Sequence, residues 1–260
     1  MPDSRDSIAN TFTVAIGISL VCSILVSAAS VLLKSRQEVN EARYQHEIVL
    51  QVAGLYEPDT DIETVFAGID VRLVDLENGD YVDSLDARDF DHVAASKDPK
   101  LSIAIPADQD SAGLHRRAIY APVYLVRDGP LVSEIILPVY GSGLWSTMYG
   151  YVALAADGTT VRGLRFYQHA ETPGLGDQID RADWLDKWQG KQAFDDSGQV
   201  RISVVRGQVQ EGRDAIYEID GMSGATLTGR GVTRLLHYWL GPNGFGPYLQ
   251  KFNSQAARND

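Results

Sequence analysis

The sequence predicts an α+β fold: a single N-terminal transmembrane helix followed by a mixed, largely antiparallel sheet domain. Three observations predict it. Residues 11–33 form an apolar run without a charge, β-rich segments follow one another from residue 71 to 205, and only residues 180–188 and 232–240 then carry a helical pattern. Strands in a row with few helices between them pair mostly antiparallel.

The apolar run comes first. Its 23 residues are enough to span roughly 30 Å of hydrocarbon as a helix. Thr11, Thr13, Ser19, Ser23, Ser27 and Ser30 interrupt it with hydroxyls, which bond back to their own helix or to neighbouring ones. A cleaved signal peptide is the rival reading, because Ser27-Ala28-Ala29 resembles a small-residue cleavage site. The run is longer than a usual signal core, and the segment before it is not distinctly basic, so an uncleaved anchor is expected. Cys22 lies mid-span and reads as a small packing residue. Residues 1–10 are an N-terminal tail, 34–56 a juxtamembrane helix or linker, and 57–260 the folded domain. Arg5 precedes the span while Lys34, Arg36 and Arg43 follow it, a small excess that by itself favours a cytoplasmic domain.

Composition narrows the function. The chain has 260 residues, with 23 Lys+Arg against 35 Asp+Glu and a net charge of −12. That balance argues against nucleic acid as a partner, since phosphate backbones require clustered cations. A single cysteine excludes an intrachain disulfide, a four-cysteine zinc site and an iron–sulfur cluster held by this chain alone. Between Glu57 and Asp98 there are 13 acidic and 3 basic residues. The calcium-loop pattern fails at 75–80 because Gly79 falls one place early, so no metal site is expected. Asn78-Gly79 between two β-rich runs instead reads as a type I′ hairpin with a solvated acidic face.

The remaining elements follow from local pattern. Residues 34–55 continue or adjoin the membrane helix, with Ile48, Val49, Val52 and Leu55 on one face. Strands are expected at 101–105, 122–126, 134–140, 151–155, 161–166 and 202–205, and only the last few residues read as a free tail. The pairs Gly141/Gly143 and Gly174/Gly176 lack the third glycine of a dinucleotide fingerprint, and Gly190-Lys191-Gln192 is not a P-loop. No Gly-x-Ser-x-Gly elbow occurs.

One motif remains: Asp220-Gly-Met-Ser-Gly-Ala-Thr-Leu-Thr228. Val232, Leu235, Leu236, Trp239 and Leu240 recur with helical spacing, so a helix starts just after Thr228, with that hydroxyl as N-cap. Ser223, Gly224 and Ala225 leave the backbone open, and a phosphate here would meet unpaired N–H groups and the positive helix end. A plain turn closed by a Thr cap is the alternative.

The stretch resembles the flavinylation motif of flavin-binding membrane redox subunits. Two further blocks agree, His169-Ala-Glu-Thr-Pro-Gly-Leu-Gly176 and Gly143-Leu-Trp-Ser-Thr-Met-Tyr-Gly150, as does the segment from Arg116-Arg117 to 123–126. With the anchor, they make the chain similar to the C-subunit family of sodium-translocating NADH:quinone reductases. The G-subunit of the related Rnf complex shares the motif but is generally shorter. A membrane-anchored assembly or sensor protein without a redox group is the reading from a different class.

The resemblance implies covalent FMN, esterified through its phosphate to Thr226, with Ser223, Gly224, Ala225 and Thr228 around the phosphate. Glu171, Thr172, Leu175 and Gly176 would border the isoalloxazine and Trp145 would lie against it, although core packing also explains a tryptophan. It implies a bacterial inner-membrane protein with its domain in the periplasm, against the charge count. It also implies partnership with the other membrane subunits, maturation by a flavin transferase, and a role in electron relay toward ubiquinone. Such a role needs no catalytic acid or base and no NADH site on this chain.

Overall fold

The computed structural model describes residues 8–259, and most of the expected N-terminal tail lies outside that range. Two compact units divide the chain, at Gln45/His46.

Helix α1 runs Ile8–Val52 without a break. Every residue from 8 to 44 is exposed, including Ile16, Leu25 and Val26. A helix apolar all round, with no protein packed on it, has the length and composition to cross a bilayer. Of the two readings of 34–56, helix or linker, the helix holds as a continuation of α1 as far as Val52. Its last turns belong to the second unit, where Ile48, Val49, Leu50 and Val52 are buried. The second unit therefore begins at His46, ahead of the expected boundary at 57. There His46 stacks on Phe66 with ring centroids 3.7 Å apart.

After a short helix α2 (Ile62–Ala67) come β1 (Asp70–Asp75), α3 (His92–Lys97), β2 (Ser102–Ala104), β3 (Arg116–Ala118), β4 (Tyr120–Asp128), β5 (Leu131–Ser142), β6 (Thr147–Ala155) and β7 (Val161–Gln168). Five of these strands form one sheet in the order β1-β4-β5-β6-β7, antiparallel throughout. Side chains alternate between faces along a strand. Ile135, Leu137 and Val139 of β5 enter one core with Val152, Leu164 and Leu235. Ile136, between them, enters a second core with Val49, Leu50, Phe66 and Tyr151. Both faces of the sheet are covered, which is why residues 134–140 read as an almost continuous apolar run.

The rest comprises α4 (Ala182–Leu185), β8 (Ser203–Val204), β9 (Glu218–Ile219), α5 (Thr226–Leu240) and α6 (Gly246–Asn259). Strands β8 and β9 pair parallel.

Four local expectations change. The chain does reverse at Asn78-Gly79, but through a longer turn in which the Gly79 N–H bonds the Asp75 carbonyl at 2.7 Å, with a lone bridge, Val74 to Tyr81, beyond it. Asp75 and Asn78 side chains accept from the backbone N–H groups of Glu77 and Asp80, an alternative to a two-residue hairpin loop. The helical pattern at 180–188 is broken into 3₁₀ turns around a single turn of α4. The end of the chain is helical to Asn259, because Phe245, Tyr248 and Leu249 are buried against the main core. The fourth change concerns the start of α5 and bears on the site.

Candidate functional site

Helix α5 starts at Thr226, three residues earlier than the pattern predicts, and its N-cap is Ala225, which offers no side-chain acceptor. The first-turn N–H groups are thus left for some other acceptor. Thr228 is not the cap. It is buried inside the first turn, and its hydroxyl donates to Glu171 Oε2 at 2.5 Å.

Four devices hold the loop that leads into α5. Asp220 accepts from Lys187 Nζ at 2.7 Å and from the Val209 N–H at 2.7 Å. The Lys187 bond, followed by the Val209 N–H, holds its carboxyl below the usual aspartate range. Trp184 Nε1 donates to the Asp220 carbonyl at 3.0 Å. Gln178 Nε2 spans the Leu175 carbonyl at 2.8 Å and the Ser223 carbonyl at 3.1 Å. Gly224 turns the chain with φ +75°, a conformation that strains any other residue, and a Cβ there would push aside the Leu175 methyl 2.7 Å away. Ser223, Gly224, Thr226 and Leu227 are left exposed, while Ala225 is buried.

The other expected residues arrive from two loops. Glu171 is only 4% exposed. Its Oε1 accepts from the backbone N–H groups of Leu144 and Trp145 at 2.9 and 3.0 Å. Trp145 itself is 70% exposed, so core packing does not account for its ring. Leu144, Leu175 and Leu227 are also exposed. Thr172 caps a turn with its carbonyl, which accepts from Leu175 N–H at 3.0 Å. Gly176 is buried, and a Cβ on it would meet Glu171 Cβ and Thr228 Oγ1, both at 2.8 Å. Alongside, His169 Nε2 lies 2.7 Å from Asp180 Oδ2, and that carboxylate raises the imidazole pKa.

The fold therefore gathers the three sequence blocks. Glu171, Gly176 and Thr228 form a buried floor, and Thr226, Ser223, Gly224, Trp145 and Leu175 stand above it in solvent or partly exposed. Two cations escaped the sequence reading. Arg206 and Arg230 line a cavity of about 40 Å³ together with Gly207, Gly221, Met222 and Thr226. Arg230 lies one helical turn beyond Thr226, and that i, i+4 spacing was the available signal. Nothing local marks Arg206, which the short parallel pair β8–β9 carries there.

An anchored α+β domain with a threonine presented at an uncapped helix start, ringed by exposed apolar residues, is the frame of a flavin-binding domain. The FMN-binding domain family matches residues 143–241, which contain all three blocks. The chain is 43% identical to the Na⁺-translocating NADH-quinone reductase C-subunit of Yersinia pestis, across 99% of this chain and 98% of that protein. It is 44% identical to the C-subunit of Vibrio anguillarum, across 96% and 97%. Among solved structures, Shewanella oneidensis NqrC is similar with a TM-score of 0.75 at 35% identity, over 82% of this chain and 98% of that one. The C-subunit of Parabacteroides distasonis is similar with a TM-score of 0.65 at 27% identity, over 84% and 96%. The chain belongs to the C-subunit family of Na⁺-translocating NADH-quinone reductases.

Proposed function

We propose that this chain is the FMN-carrying, electron-relay subunit of a Na⁺-translocating NADH:quinone reductase, with FMN joined by a phosphoester to the Thr226 hydroxyl. The observation that carries the reading is the presentation of Thr226. It is the exposed first residue of a 15-residue helix whose N-cap supplies no acceptor.

The surrounding residues fit a phosphate. The uncapped N–H groups and the positive end of the helix favour an anion, and Arg206 and Arg230 share the adjoining cavity. Gly221 presses on the Val205 carbonyl so closely that a Cβ would overlap it, which keeps the approach free of side chains. Leu144, Trp145, Leu175 and Leu227 supply exposed apolar surface of the kind an isoalloxazine covers. Bound FMN supplies one-electron chemistry. The chain's own residues hold, orient and partly shield it, and tune its potential through charge and burial. Donor and acceptor are other membrane subunits of the complex, and attachment is the work of a flavin transferase. No residue here is assigned to NADH.

Residues 11–33 are the transmembrane span of a single-pass inner-membrane protein, with residues 46–260 in the periplasm. A C-terminal alkaline phosphatase fusion should be active in cells, and fluorescence from a cytoplasm-only reporter at the same position would overturn that orientation. For the bond, intact mass should exceed the sequence mass by FMN less one water, and Thr226→Ala should abolish the increment. An increment that survives Thr226→Ala would place the bond elsewhere.

A further inference from the structure

We propose that Glu171 is a positioning residue that locks the Trp145 loop to the first turn of α5, and so sets where the ring side of the site stands relative to Thr226. The inference rests on Thr226 as the attachment point.

The loop at 143–146 is the turn between β5 and β6, closed on itself by the Gly143 N–H, which donates to the Ser146 carbonyl at 2.8 Å, but its own turn bond does not tie it to α5. Leu144 is 45% and Trp145 70% exposed, so burial of their side chains does not fix the backbone beneath them. Polar bonds do that instead. Glu171 Oε1 takes both the Leu144 and the Trp145 N–H. Ser146 Oγ accepts from the Ala170 N–H at 2.7 Å, next to Glu171 in the chain. The second carboxylate oxygen is occupied by Thr228 Oγ1 at 2.5 Å, two residues beyond Thr226. One side chain thus joins three segments that are distant in sequence, and all of its bonds run to neutral donors.

Space is reserved for this carboxylate. A Cβ on Gly143 would overlap Glu171 Oε1, and one on Gly176 would come within 2.9 Å of Oε2. Real Cβ atoms do not approach that closely, so the two glycines admit the carboxylate between loop and helix. Buried carboxylates persist where their lone pairs are satisfied, and here the satisfied lone pairs are what tie the elements together. Glutamine can keep the arrangement: its carbonyl accepts from the two N–H groups while its amide donates to Thr228, whose hydroxyl then turns to accept. Alanine loses all three bonds.

The test uses full-length, FMN-loaded protein and reads two quantities, intact mass and flavin fluorescence lifetime. An indole held against a flavin quenches its fluorescence, so the lifetime reports the placement of Trp145. Glu171→Ala should keep the mass increment and lengthen the lifetime several-fold. Glu171→Gln should stay near the unaltered protein, and Thr228→Val should fall between. In a Trp145→Phe background none of these changes should move the lifetime further, which is the coupling expected of residues acting as one unit. Unchanged lifetimes in Glu171→Ala and Thr228→Val, or equal changes with and without Trp145, would overturn the proposal. Should Glu171→Ala fail to fold or load, Thr228→Val and Glu171→Gln in the two backgrounds decide it. Absence of the mass increment from the unaltered protein would instead sink the Thr226 assignment.

Discussion

At the start of α5, Thr226 and Leu227 stand in solvent, with no side chain capping the helix. At its other end Trp239 and Leu240 are each 1% exposed. Trp239 lies 4.8 Å from the Tyr140 ring and 5.6 Å from Phe245, and its Nε1 donates to the Tyr140 carbonyl at 2.6 Å. The same helix thus presents the proposed attachment residue at one end and a packed core at the other. Between them, Leu235 and Leu236 are fully buried and fasten the helix to the sheet. The Thr226 hydroxyl can therefore be left exposed, and its helix uncapped, when the energy of folding is supplied three turns away.

A crossed pair of substitutions gives the largest effect on this contrast. Trp239→Ala should cost about 3–5 kcal/mol, the range for removing a buried large aromatic, while the fraction that folds still acquires FMN. Thr226→Ala should do the reverse, losing all FMN while stability moves by less than about 0.5 kcal/mol, as for other exposed surface positions. Urea titration and intact mass on both variants check it. Loss of flavin with both, or of stability with both, would dissolve the distinction between the two ends.

A smaller effect is expected at the floor of the site. Gly176→Ala must push a Cβ into Glu171 and Thr228, which should cost about 1–3 kcal/mol, as overpacking does. Its destabilisation should exceed that of Gly174→Ala in the same loop if lack of space is the cause. Gly174 has open space around it but a φ of +77°, so that variant measures conformational strain alone. A loss in Gly176→Ala no larger than that in Gly174→Ala, in urea titrations, would mean that Glu171 and Thr228 give way to the added methyl at little cost.

The smallest expected effect is a pH dependence. Asp180 raises the His169 pKa above the ordinary value of 6.5, so the folded state binds the proton more tightly than the unfolded chain. The stabilisation is fully present below the unfolded value and is lost as pH rises through the folded one. Unfolding midpoints should fall modestly over that window, and Asp180→Asn should flatten this component. An unchanged slope in Asp180→Asn would mean the pair contributes nothing.

Much of this was legible in the sequence because it is written locally. An uncharged run long enough to span a bilayer needs no partner to be recognised. The strands at 122–126, 134–140, 151–155 and 161–166 all appear, since each is an apolar run bounded by turn residues. Thr226 was singled out by its motif, and its role as the attachment residue stays a proposal. Thr228 was misplaced as a cap, because its side chain fits a cap equally well and only the approach of Glu171 shows otherwise.

The apolar N-terminal run and the class of fold are each a matter of composition or short-range spacing, and the amino-acid order alone specifies them, whereas the start of α5 at Thr226 came from the structure. Folding in three dimensions was needed to bring Glu171 to Thr228 across 57 residues, to join the last turns of α1 to the sheet's second core, and to carry Arg206 to the cavity beside Thr226. It also settled that the chain continues as a helix beyond Gly246. The physical reason is the same in every case. A buried carboxylate, an apolar helix end or a surface arginine has the same local pattern whatever it touches. Its role is set by the groups that folding brings within a few ångströms, and those contacts lie far apart along the chain.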